Sequence, residues 1–291
     1  MVRSPILWFG GKGLMTAKIV PILEQIPHRY YCEPFGGGMS ILLAKRPKPV
    51  ETYNDLNFAL CDFFSVLADP DLFSQFYRRV EALPYSRQFY NEYRVTWQNE
   101  QDRIVRVAKW FLVARQSFSG LFGCSWSSAV TGSGRGMAMT CARWLSCIEM
   151  LPQIHRRLQR VQIENVDFRT ILDRYDTKDT LFYLDPPYVT ETRRGGKYEY
   201  EMTAQDYQDL IALLLILKGK AVLSGYVHET YQPLEQAGWT RTDWFTSCFA
   251  TGRTRNSNLQ GKGAASKHQV RVESLWISPY KDYPLFKRRV D

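Results

Sequence analysis

The sequence predicts an α/β protein. The expected core is a mixed, doubly wound sheet of about seven strands, with a mainly helical segment inserted after the second strand. Three observations predict it. Short apolar runs at 30–33, 51–54, 161–165, 181–184 and 220–225 end near acidic, glycine or proline residues, as strands do at a ligand-binding sheet edge. Residues 57–116 carry helical periodicity and no strand-and-glycine pattern. Strand patterns then return at 161 and continue to 277. The expected division is 1–58 with 161–291 as one domain and 59–160 as the other.

The 291 residues are 45% apolar, enough for a sizeable core. The formal net charge is +9, which favours a polyanionic partner. The longest apolar run, 210–217, is eight residues, too short to cross a membrane. No signal-peptide apolar segment is read at the start. Six cysteines contain no C-x-x-C pair, and only four histidines are present, so no metal site is expected. A reduced, cytoplasmic setting fits that cysteine usage.

In chain order, residues 4–13 form an apolar stretch that runs into a glycine turn holding Gly11 and Lys12. Glycine there lets the backbone approach a ligand, and Lys12 suits a carboxylate or a phosphate. The spacing does not match a Walker loop. A helix is expected over 15–26, ending before Pro27. A strand from Tyr30 meets Glu33-Pro34-Phe35 and then Gly36, Gly37 and Gly38 before a short helix over 40–44. A strand, glycine loop and helix in that order suit a nucleoside-bearing cofactor at the helix N-terminus. The next strand ends in Asp55, 17–19 residues after the glycines, where nucleotide-binding folds place an acid on ribose hydroxyls.

The helical segment breaks at Asp69-Pro70 and resumes to about residue 80, over 86–97 and over 104–115. Residues 117–136 are rich in Ser and Gly, with Phe118, Phe122 and Trp126 interleaved. Between 101 and 160 nine basic residues face two acids, which points to nucleic-acid contact. After the strand at 161–165, Asp167 and Phe168 offer an acid and a ring to an adenine amino group and face, and a helix over 169–175 follows.

The strand at 181–184 must stop at Asp185, because Pro186 and Pro187 lack amide donors. Two prolines stiffen the turn and hold Asp185 and Tyr188 at the strand's C-terminal end. Carboxylate and proline carbonyls accept hydrogen bonds, and the Tyr188 hydroxyl is the one donor the loop itself offers. Such a group accepts both hydrogens of an exocyclic amine and leaves its lone pair free to attack, while the ring stacks on a planar base. Residues 190–202 form a charged loop suited to folding over the site. Thr203 with Asp206 forms a loose capping box for a helix to about 217. A helix over 228–237 follows the strand at 220–225, and residues 239–245 and 269–277 alternate like paired edge strands. Between 248 and 272 five basic residues and no acid make a second candidate polyanion surface.

Together, Trp8 with Gly-Gly-Lys12, Glu-Pro-Phe-Gly-Gly-Gly38, Asp55 and Asp-Pro-Pro-Tyr188 resemble the Dam-like family of amino-methyltransferases acting on adenine in DNA. The resemblance covers nearly the whole chain and includes 222–226 and Glu273-Ser-Leu-Trp276. It implies a Rossmann-like methyltransferase sheet and S-adenosylmethionine as cofactor. Trp8, Gly11 and Lys12 would lie near the methionine part, with Phe35, Gly36 and Gly38 beneath it. Asp55 would bind the ribose, Asp167 and Phe168 the adenine ring, and Asp185 both cofactor and target. Tyr188 would stack on an adenine flipped out of duplex DNA, with Asp185 and the Pro186 carbonyl accepting its amine hydrogens. Pro187 completes this catalytic loop. Contacts to double-stranded DNA are expected from Arg115, Ser117, Trp126, Arg135, Arg193, Lys197, Arg253, Arg255 and Lys262. Two departures stand out. Residues 117–136 do not align with the family's recognition segments, which leaves the target sequence open. Asp206-Tyr207 replaces a common Asp-His, with little effect on chemistry expected. A cytosine-N4 methyltransferase and a catalytically silent DNA-binding module are the alternative readings.

Overall fold

The computed structural model describes residues 2–189, 200–247 and 270–280. The main sheet forms from β1 (Tyr30–Glu33), β2 (Val50–Asn54), β5 (Val161–Glu164), β6 (Thr180–Leu184), β7 (Lys220–Gly225), β8 (Thr240–Ser247) and β9 (Val270–Ile277). Ser133–Gly134 (β3) and Met137–Ala138 (β4) make a separate small hairpin. The seven-stranded order is β5-β2-β1-β6-β7-β9-β8. The first five strands in that order run parallel, and β9 is antiparallel to both β7 and β8. The chain leaves β1 towards β2 on one side and returns to β6 on the other. That reversal of strand order opens a crevice above the β1 and β6 ends.

Every residue of β6 is buried, as its unbroken apolar run requires of a central parallel strand. Alternation then sorts its side chains to two faces. Leu181 and Tyr183 join one apolar cluster with residues of α1 (Thr16–Gln25), α2 (Ser40–Ala44) and α3 (Phe58–Ala68). Phe182 and Leu184 join another with α8 (Phe168–Tyr175), α9 (Ala204–Ile216) and α10 (Gln232–Gln236). The result is helix, sheet and helix in three layers.

The helical segment consists of α3, α4 (Pro70–Glu81), α5 (Arg87–Thr96), α6 (Arg103–Gln116) and α7 (Met139–Leu158). Asp69, with Pro70 at the first helical position, caps α4 through bonds of 2.9 Å to the Asp71 and Leu72 amides. Buried residues of all five helices belong to the same cluster as the first face of the sheet. The 20-residue α7 was not anticipated from the sequence, since it contains Pro152 and follows a Ser/Gly-rich stretch. The 228–237 helix is a short turn over Glu229–Tyr231 followed by five-residue α10. The expected pairing of β8 with β9 is present, but β9 lies inside the sheet rather than at its edge. The capping box of Thr203 and Asp206 is present. Residues 190–199 and 251–267, expected as loops, lie outside the described residues.

Candidate active site

A cavity of about 230 Å³ lies over the C-terminal ends of β1, β2, β5 and β6. Trp8, Gly11, Lys12, Phe35, Gly36, Gly38, Asp55, Asp167, Phe168 and Asp185 all line it, so five separate stretches of sequence meet in one space. Close packing explains the glycine loop. A Cβ on Gly36 would sit 2.1 Å from the ring of Tyr53, and Gly37 has φ +47°. Asp55 joins this loop from β2: its Oδ2 accepts the Gly37 amide at 2.8 Å, and its Oδ1 accepts that of Asn57 at 2.8 Å.

Buried Asn54 ties three strand ends together. Its amide donates to the Pro34 and Val166 carbonyls at 2.9 and 3.0 Å, and its oxygen accepts the Val166 amide at 3.0 Å. Asp167 caps α8 through the Arg169 amide at 2.8 Å and pairs with the Arg169 guanidinium at 3.1 Å. That guanidinium also meets Asp206 and Asp209, each at 2.6 Å, and lies 4.5 Å from the Phe168 ring centre. Phe168 is buried, with Phe35 at 5.3 Å between ring centres. Asp206 is held down at about 2 by hydrogen bonds from Arg169 and Thr203.

Asp185 begins the Pro-Pro turn as expected, and the Tyr207 hydroxyl braces that turn by donating to the Pro187 carbonyl. This gives the residue that replaces His a structural duty. The Tyr188 hydroxyl is the loop's own donor, as expected, and a second donor reaches the loop's acceptors from elsewhere in the chain. The Lys12 ammonium lies 2.7 Å from Asp185 Oδ1, brought there from the glycine turn by tertiary packing. It is also 3.2 Å from Glu273 Oε1 and 4.6 Å above the Tyr188 ring. The Tyr188 hydroxyl donates to Glu273 and lies 3.2 Å from Ser224 Oγ, and its ring meets that of Tyr226 edge-on at 4.5 Å.

Burial shifts these groups strongly. Asp185 rises from 3.8 to about 6 because of burial, with Lys12 opposing and Glu273 adding to the rise. Burial alone would lower Lys12, but Asp185, Tyr188 and Glu273 together hold it above its ordinary value. Glu33, also in the cavity wall, is pushed up to about 8 by burial, although the Tyr31 hydroxyl donates to it at 2.7 Å. Glu33, Asn54 and Glu273 were not singled out from the sequence as site residues. An acid before Pro-Phe was a usable signal for Glu33. An acid at an inward position of β9 was one for Glu273.

The expected DNA-contact residues fare differently. Ser117 is buried: its hydroxyl donates to the Val113 carbonyl at 2.7 Å and accepts the Gly123 amide at 3.0 Å. It therefore supports the loop and does not face a ligand. Trp126 is half-buried: it packs on Tyr85 at 5.1 Å, donates to Gln116 at 2.9 Å and carries the Arg87 guanidinium 4.9 Å over its ring. Phe122 is likewise drawn into a cluster with Trp8 and Trp110, while Phe118 stays 50% exposed. Arg115 is half-buried and donates to the Arg143 carbonyl at 3.2 Å. Arg135 is exposed but paired with Glu149 at 2.7 Å. Arg193, Lys197, Arg253, Arg255 and Lys262 lie outside the described residues. Of the basic residues counted in 101–160, Arg103, Arg106, Lys109, Arg135 and Arg157 are ion-paired, four of them to acids outside that window. The window count overstated the excess for that reason.

Among the described residues no group of three or more His, Cys, Asp or Glu is placed to hold a metal ion. No helix among them is long and apolar enough to cross a membrane. The family model described as D12 class N6 adenine-specific DNA methyltransferase matches residues 8–244. No curated protein matches the chain.

Proposed function

This chain belongs to the D12 class N6 adenine-specific DNA methyltransferases, and we propose that it works with S-adenosylmethionine on an adenine turned out of duplex DNA. The reaction of the family is methylation of the adenine N6 amine in DNA. The observation that carries the finer reading is the meeting of Asp185 with the glycine loop in one cavity. That cavity fits the cofactor. The Gly36–Gly38 loop forms part of its wall, Asp55 stands at the end of β2, and Phe35 and Phe168 form an aromatic side. Bound there, S-adenosylmethionine supplies an electrophilic methyl group on a sulfonium.

In this reading Asp55 faces the ribose, Asp167 and Phe168 the adenine ring, and Trp8, Gly11 and the glycine loop the amino-acid end. Asp185 and the Pro186 carbonyl accept the two hydrogens of the target amine. With both hydrogens held by these acceptors, its lone pair is released from the ring and would be free to accept the methyl group that the cofactor would supply, the sulfur leaving with the bonding pair. The methylated nitrogen then carries a positive charge and sheds a proton. Asp185, raised to about 6, is a competent acceptor for that proton. Tyr188 and Pro187 shape the pocket for a flipped base. Catalysis rests on positioning and electrostatics rather than on a covalent enzyme intermediate. Residues 59–160 form the target-recognition region, and 1–58 with 161–291 the catalytic region.

Single-molecule sequencing of DNA from a methylation-free host expressing the chain tests the reading. Modified adenines in one short motif are expected, and none with Asp185→Ala. Modified cytosines, or full modification by Asp185→Ala, would overturn it.

A further inference from the structure

We propose that Glu273 is a positioning residue for methyl transfer, which fixes Tyr188 and retains the Lys12 ammonium when the target amine takes its place on Asp185. The proposal rests on the reading of Asp185 and Tyr188 given above.

Residues 273, 275 and 277 of β9 share one face of the strand, and Leu275 and Ile277 are buried in the apolar cluster there. An acid at 273 breaks that apolar pattern. Glu273 is only 5% exposed, and burying a carboxylate is unfavourable unless its oxygens are engaged. One of them, Oε1, is engaged by the two side chains that frame Asp185. The Tyr188 hydroxyl donates to Oε1, and the Lys12 ammonium lies 3.2 Å from the same oxygen. Ser224, on neighbouring β7, donates to it at 3.2 Å. The pairing of Ser224 with Leu275 across the two strands sets this distance.

The Lys12 ammonium therefore bridges two carboxylates, 2.7 Å from Asp185 and 3.2 Å from Glu273. It is a nitrogen donor bound to Asp185 and held 4.6 Å over the Tyr188 ring. Those are two of the contacts expected of the target amine, while a third donor contact of Lys12 goes to the Gly10 carbonyl at 3.3 Å. The ammonium thus occupies the amine's position, and an incoming base competes with it for Asp185. With Glu273 ionised, Lys12 shifts to the second carboxylate and remains a paired buried ion. Without that charge, Lys12 has Asp185 as its sole carboxylate and keeps the position occupied. The Tyr188 hydroxyl needs only an acceptor, so a glutamine at 273 separates the two roles.

The experiment uses the full chain, a duplex containing its methylation motif and saturating S-adenosylmethionine. Glu273→Gln keeps an acceptor for Tyr188 and the side-chain volume. Its melting temperature and DNA affinity are expected to stay near wild type, while the single-turnover rate falls about 10- to 100-fold. Lys12→Met removes the competing ammonium, so adding Glu273→Gln to Lys12→Met is expected to cost little further rate. A wild-type rate for Glu273→Gln, or losses that simply multiply in the double variant, would overturn the proposal. If Glu273→Gln does not fold, Tyr188→Phe tests the hydroxyl contact without altering β9. It is expected to slow transfer and change the fluorescence of 2-aminopurine at the target position, and wild-type behaviour in both would refute the Tyr188 role. Asp185→Ala is the control. Activity in that variant would remove the reading of the site itself. An inactive Asp185→Ala beside a fully active Glu273→Gln would remove only the present proposal.

Discussion

Asp185 and Glu33 are carboxylates whose surroundings oppose their ionisation, and that has consequences for pH. Asp185 is raised from 3.8 to about 6, first by burial. Its ionised form is the better acceptor for an amine hydrogen, so kcat/KM is expected to fall as pH drops below about 6. A pH-rate profile flat from 5 to 8 would contradict this. Glu33 is raised from 4.5 to about 8, again first by burial. A raised folded-state value means that the folded chain binds the proton more tightly than the unfolded chain. The stabilisation is complete below the unfolded value and is lost as pH rises through about 8. Wild type is therefore expected to lose melting temperature between pH 5 and 9 more steeply than Glu33→Gln. Parallel curves would show that Glu33 is not the titrating group. Individual residues were partly legible in the sequence. Asp185 and Lys12 stood beside proline and glycine, which mark tight turns, and Asp55 ended a strand 17–19 residues after the glycine loop. Glu273 did not, because its partners come from strands and loops far away in sequence.

At the scale of elements, the loops after β1, β2 and β5 act as one unit. Gly36 is pressed against Tyr53, which is fully buried and anchored by its hydroxyl on the Gly37 carbonyl at 2.7 Å. Gly36→Ala forces one of them to move, and a loss of about 1–3 kcal/mol in urea unfolding is expected, together with weaker cofactor binding. Asn54→Ala leaves two carbonyls and an amide without their partner. About 3 kcal/mol of destabilisation is expected, and a change below 0.5 kcal/mol, the range of an ordinary surface substitution, would show that water replaces the side chain. The strand-loop-helix units were readable because period, glycine and proline are local signals. The Asn54 joint was not, since it spans 112 residues. The α7 helix was missed because Pro152 argues locally against a helix that its buried face stabilises.

At the scale of the molecule, the helical segment is fastened to the sheet by a buried charge cluster. Glu51 on β2 meets Lys45 at 2.9 Å and Arg157, near the end of α7, at 2.6 Å. Arg157 also donates to the Leu42 carbonyl at 3.0 Å. Arg157→Met leaves Glu51 with one cation in an apolar setting. A loss of about 3 kcal/mol is expected, visible as a lower melting temperature. The seven-strand architecture was legible because strands alternate with helices along much of the chain. The balance of charge was not, because Asp62, Glu100 and Glu51 cancel cations that follow them at a distance in sequence.

The position of β9 also bears on biosynthesis. It lies between β7 and β8, although it follows both in the chain, and it carries the acceptor for Tyr188. A nascent chain that ends after β8 leaves the ribosome with two strands held apart by nothing and Tyr188 without its carboxylate. On the role proposed for Glu273, a chain truncated after β8 is expected to leave the DNA of a methylation-free host unmodified, so that interrupted translation would yield fragments that do not mark the genome.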